Sequence, residues 1–116
     1  MDLKYLIRHS QIKKNSPSIF LLHGYGSNKE DLFSLEGYLP KNHTIISLEA
    51  PISLSFGGFT WFEVDQIDIL NKSYYNNKND VDNIANMIID NIDKISSKFK
   101  LNKSDTTVLG FSQGAS

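Results

Sequence analysis

With 116 residues, 12 Lys and Arg against 13 Asp and Glu, and a formal net charge of -1, the chain is expected to form one domain, residues 1–116, with a modest core. So even a charge balance gives no sustained field for a polyanion or an acidic membrane surface, which excludes nucleic acid as the expected partner. The absence of cysteine excludes disulfides, thiolate metal sites and a cysteine nucleophile.

The opening "MDLKYLIRHSQIKK" has an acidic residue at position 2 and only a short apolar step before Arg8, unlike a signal peptide. No later stretch reaches the length of a membrane span. A cytoplasmic location is therefore expected, with the Asn-x-Ser/Thr triplets at Asn42, Asn71 and Asn102 as chance matches. "LKYLIR", residues 3–8, predicts a weak strand at a sheet edge. "SIFLLHG", residues 18–24, is a continuous apolar run opening into glycine, as in a strand buried on both faces. Ser27 and Glu30 then stand at capping-box spacing, and Leu32, Phe33, Leu35 and Leu39 give a short helix one apolar face, ending near residues 37–40. "HTIISLEAP", residues 43–51, predicts a second buried strand stopped by Pro51.

"NKSYYNNKND", residues 71–80, reads as a polar linker. Beyond it Ile84, Ile88, Ile92, Ile95 and Phe99 make a helical stripe over about 81–99, with Asp80 as N-cap and core packing as its purpose. "TTVLGFS", residues 106–112, is a third buried strand. Strands alternating with helices predict an α/β fold, a doubly wound parallel sheet with flanking helices, and there is no internal repeat.

The last strand runs into Gly110-Phe111-Ser112-Gln113-Gly114. A serine hydroxyl needs a base to take its proton and a turn that presents it to a carbonyl. In Gly-x-Ser-x-Gly the serine sits at a sharp corner between strand and helix, where the glycines avoid backbone collisions. The loop His23-Gly24-Tyr25-Gly26 after the first buried strand is suited to supply backbone N–H groups to an oxyanion, alongside the N–H of Gln113. A dinucleotide cradle is the competing reading of that loop, and it fails because the fingerprint's third glycine is replaced by Lys29.

Three stretches in this order, "LLHGYGSNKEDLF", "APISLSFGGFTWFEVD" and "VLGFSQGAS", together resemble the phospholipase/carboxylesterase family of α/β-hydrolases, which includes carboxylesterases and acyl-protein thioesterases. The chain looks like the N-terminal half of such an enzyme, cut after the nucleophile strand. The resemblance implies Ser112 as nucleophile, Gln113 and Tyr25 as oxyanion-hole N–H donors, and Gly57 to Phe62 as a loop near the acyl pocket. It implies an ester or acyl-thioester substrate and no cofactor. His23 by the same resemblance supports the oxyanion loop and is not the base.

In α/β-hydrolases an Asp or Glu and then a His follow the serine, whereas His9, His23 and His43 all precede Ser112 and only residues 113–116 come after it. His9 and His43 read as surface or edge residues. Trp61 and Phe62 admit both packing and a place in the substrate cleft, and Glu63 and Asp65 read as solvated loop acids. No metal-ligand spacing occurs. The expectation is thus a serine esterase or thioesterase represented by an incomplete domain, inactive by itself. The second reading is a non-catalytic truncated product, or a half-domain that acts only with another chain. Small esters rank ahead of acyl-protein thioesters, and the sequence is silent on oligomeric state.

Overall fold

The computed structural model describes residues 2–61, 66–68, 73–75 and 78–111. Its centre is a four-stranded sheet of β1 (Tyr5–Arg8), β2 (Ser18–Leu22), β3 (Thr44–Leu48) and, late in the chain, a strand over Thr106–Gly110, here β8. The order is β1-β3-β2-β8. β2 runs parallel to both neighbours, with Ser18 opposite Thr44 on one side and Thr106 on the other. β1 is antiparallel to β3, so the sheet is mixed, and the edge position expected for residues 3–8 is where that strand lies. Continuous apolar runs in β2 and β3 have the expected cause, because all five residues of each are buried.

Successive side chains of a strand point to opposite faces, and the two faces here meet different partners. Phe20, Leu22, Ile46 and Leu48 pack with Trp61, Ile95 and Leu101 beneath helix α2, which spans Lys78–Lys98. Ile84, Ile88, Ile92 and Phe99 lie against this cluster, so the predicted stripe is core packing. Ile19, Leu21 and Ile45 face the other way, against Leu32 and Leu39. α2 is pinned to the chain's start by Asn91, whose Oδ1 accepts from the Leu3 N–H at 2.9 Å. Arg8 ties β1 to the 36–43 connection through the carbonyls of Glu36, Leu39, Pro40 and His43.

Several features differ from expectation. β8, read from its apolar run as a third buried strand, has Thr107, Val108 and Leu109 exposed. The first helix, α1, covers only Lys29–Phe33, followed by a 3-10 turn over Glu36–Tyr38. Its N-cap is Asn28, whose side chain accepts from the Asp31 N–H, while Ser27 Oγ donates to the Asp31 carboxylate at 2.7 Å. The Ser27–Glu30 capping box is therefore not formed. α2 starts at Lys78, placing Asp80 inside the helix and not at its cap. Between β3 and α2 come a hairpin of β4 (Ile52–Ser53) with β5 (Phe59–Thr60), and a second of β6 (Gln66–Asp68) with β7 (Ser73–Tyr75). The stretch expected as a linker contains β7. It pairs antiparallel with β6. Among the described residues no helix is long and apolar enough to cross a membrane.

Candidate active site

The strands that lead into the two expected motifs finish at the same end of the sheet. β2 ends at Leu22 and opens into loop 23–28, and β8 ends at Gly110, the register partner of Leu22. The Phe111 N–H donates to the Leu22 carbonyl at 3.1 Å, so the residue just before Ser112 runs alongside the start of that loop. Ser112, Gln113 and Phe62 lie outside the described residues, as do Glu63 and Asp65.

His23 is fully buried and both ring nitrogens are engaged. The Ala50 N–H donates to Nε2 at 3.0 Å, which makes Nε2 the unprotonated nitrogen. Nδ1 therefore carries the hydrogen and donates to the Gly24 carbonyl at 2.8 Å. Burial pushes the imidazole below its ordinary pKa of 6.5, opposed by the Gly24 bond and the nearby charges of Glu49 and Asp31. A neutral ring with no free nitrogen has no capacity to take a proton from a nucleophile. Trp61, 1% exposed, lies against it with ring centroids 5.2 Å apart, and its Nε1 donates to the His23 carbonyl at 2.7 Å.

The loop beyond His23 is clasped to the 52–60 hairpin. The Gly26 N–H donates to Phe59 O at 2.9 Å, and the Phe59 N–H donates to Ser27 O at 2.9 Å. Gly26 and Gly58 both have positive φ, +77° and +79°, and a Cβ on Gly58 would sit 2.0 Å from the Gly26 oxygen. This contact explains a glycine whose role composition did not reveal. The Tyr25 N–H meets no acceptor among the described residues. The Tyr25 ring is half exposed and stands 6.3 Å from that of Phe56, which is 72% exposed.

Lys29 and Glu49 were not singled out by motif, although a carboxylate inside an apolar strand run is itself a signal, because such a group needs a partner. Lys29 Nζ bridges Glu30 at 2.9 Å and Glu49 at 3.2 Å. The hydrogen bond to Glu30, with that to Glu49 added, holds the ammonium above its ordinary pKa despite partial desolvation. A cleft of about 140 Å³ beside Glu49, lined by Leu3, Ala50, Pro51 and Phe59, is smaller than the roughly 300 Å³ at which ligand pockets begin. Among the described residues no cluster of His, Asp or Glu has the makings of a metal site.

The buried neutral His23 has a measurable consequence. Its folded-state pKa lies below its unfolded value, so its contribution to stability is complete above pH 6.5 and is lost as pH falls through the folded pKa. Urea unfolding should therefore show stability declining below pH 6.5, with a slope of up to about 1.4 kcal/mol per pH unit from this group. His23→Gln, less stable at pH 8, should lack that one-proton component. An unchanged slope in the variant would assign the decline to other groups.

A family profile described as phospholipase/carboxylesterase matches residues 5–116. Among solved structures, esterase PE8 is similar at a TM-score of 0.82 and 22% identity, covering 99% of this chain and 54% of that one. A carboxylesterase of Bacillus cereus gives 0.79 and 20% identity, over 97% and 50% of the two chains. Acyl-protein thioesterase 2 of Zea mays gives 0.66 and 25% identity, over 97% and 47%. The chain thus spans about half the length of these structures, and its fold is that of their α/β-hydrolase sheet. No match was found among curated proteins.

Proposed function

The chain belongs to the phospholipase/carboxylesterase family, and on that footing we propose that it carries the nucleophile and oxyanion side of a serine hydrolase acting on carboxylic esters or acyl thioesters. The observation that carries this reading is the meeting of Phe111 with Leu22, which brings the approach to Ser112 beside a loop whose Tyr25 N–H meets no acceptor among the described residues. Ser112 Oγ bonds to the substrate carbonyl carbon and gives its proton to a general base. The carbonyl oxygen becomes an oxyanion, met by the N–H groups of Tyr25 and Gln113. The carbon–oxygen or carbon–sulfur bond then breaks, the leaving group takes the proton, and water releases the acid from the acyl-enzyme.

His23, with both ring nitrogens engaged, is not that base. In this fold class the orienting carboxylate and the base come after the nucleophile in chain order. Trp61 acts from beneath the loop, through its bond to the His23 carbonyl, and Phe62, its neighbour in the chain, is assigned to the substrate cleft. No cofactor enters this chemistry.

Loop 51–62 is rich in aromatic and small residues, which suits a short or medium acyl chain better than a charged group. Small esters are the first substrate class and acyl-protein thioesters the second. A panel of nitrophenyl esters of increasing chain length, presented to the whole protein, should show kcat/KM highest at short to medium chains. Turnover of phosphate esters or peptides alone would overturn the reading.

A further inference from the structure

Loop 24–28 is held at both ends by one short stretch of chain, residues 47–50. At the upstream end the Ala50 N–H holds His23. At the downstream end Ser47 Oγ donates to the Lys29 carbonyl at 2.7 Å, and Lys29 Nζ reaches Glu49 at 3.2 Å. Glu49 is 4% exposed, and a carboxylate at that depth is costly unless a cation meets it. Lys29 is the cation that does so among the described residues. β3 does not need this pair for its own placement, because it is hydrogen-bonded to β2 on one side and β1 on the other, and the Glu49 N–H already donates to Lys4 O.

We infer that Glu49 is a positioning residue: its ion pair with Lys29 fixes the downstream end of loop 24–28, as His23 fixes the upstream end, and so sets the direction of the Tyr25 N–H. Its catalytic meaning rests on Tyr25 as the oxyanion donor, whereas the clamp itself is a property of the fold. Ser47 and the Asn28 cap hold the backbone near Lys29 but do not bind its charge. Losing the pair leaves the sheet intact and lets the loop pivot about Gly26.

The test is residue-resolved amide hydrogen exchange on the whole protein. Gly26 and Ser27, whose N–H groups bond to Phe59 O and Gly24 O, report on the loop, with Phe20 and Ile46 as core references. Glu49→Gln and Lys29→Met should speed exchange at Gly26 and Ser27 by roughly tenfold relative to Ile46, because a local opening then no longer breaks an ion pair. Lys29→Arg, which keeps the charge and the reach, should restore protection. In ester hydrolysis Glu49→Gln should lower kcat with little change in KM. Equal acceleration at loop and core amides, or none at Gly26, would overturn the clamp. Should Lys29→Met fail to fold, Glu49→Gln decides, since it retains volume and a hydrogen-bond acceptor. If the exchange pattern holds while the unaltered protein turns over no ester, the clamp stands and the hydrolase reading falls.

Discussion

With Ser112 as the proposed nucleophile, Ser112→Ala is expected to remove labelling of the whole protein by a serine-directed fluorophosphonate and to lower ester hydrolysis on the order of 10⁴-fold or more, since the proposed acyl-enzyme then has no oxygen on which to form. The residual rate reflects the oxyanion donors acting on water. A polypeptide of residues 1–116, tested by itself, is expected to label slowly if at all, and the positions of its histidines give the reason. His23 is locked as a neutral ring by Ala50 and Gly24. His43 immediately precedes β3, and His9 follows β1, whose antiparallel pairing sets Arg8 opposite Ile45. Both therefore lie at the end of the sheet away from Phe111, about one strand length off, or on the order of 15 Å for five residues. Rapid labelling of this polypeptide that vanishes on Ser112→Ala would overturn the argument and require a base reaching the serine from one of these histidines or from a second chain.

Gly58→Ala is expected to be more damaging than the same change at Gly26, Gly37 or Gly57, costing on the order of 2–4 kcal/mol in urea unfolding. Two costs combine there. The backbone has a φ of +79°, which an L side chain resists, and the new methyl carbon would meet the backbone oxygen of Gly26 at 2.0 Å. Backbone on both sides leaves no flexible side chain to give way, so the relief is separation of the hairpin from loop 23–28, with loss of the Gly26–Phe59 hydrogen bond. Esterase activity should fall further than stability does. Gly57→Ala isolates the first cost, because its φ is +103° with nothing within 4 Å, and should lose only about 1 kcal/mol. Gly37→Ala meets open space at an ordinary φ and should be near neutral. A Gly58→Ala variant as stable as Gly37→Ala would show that the hairpin does not clasp the loop this closely.

The legible parts of the sequence are those where burial imposes a composition. β2 and β3 read as continuous apolar runs because each is covered on both faces, and the stripe from Ile84 to Phe99 reads as a helix because one side meets the core. Direction is not written in such patterns, so the antiparallel course of β1 was hidden. The shift of the N-cap from Ser27 to Asn28 turns on a choice between two adjacent polar side chains, decided by the Asp31 carboxylate. β6 and β7 pair with each other, and the polar composition of residues 71–80 gives no strand signal. At the site, the Gly-x-Ser-x-Gly motif and the Tyr25 loop are local patterns. The supports contributed by Glu49, Gly58 and Trp61 depend on chain segments meeting across twenty to thirty-eight positions, and no local pattern encodes that.

The position of β2 at the centre of the parallel strands also has a kinetic consequence. Ser18 must find Thr44 on one side and Thr106 on the other, and closing the longer loop costs about 1 kcal/mol more in chain entropy before any contact repays it. The contacts described for loop 23–28, from Ser47 and Ala50 to Gly58 and Trp61, come from the first 61 residues. Those contacts are expected to form while β8 is still undocked, so that the strand leading towards Ser112 closes last, onto a loop already in shape.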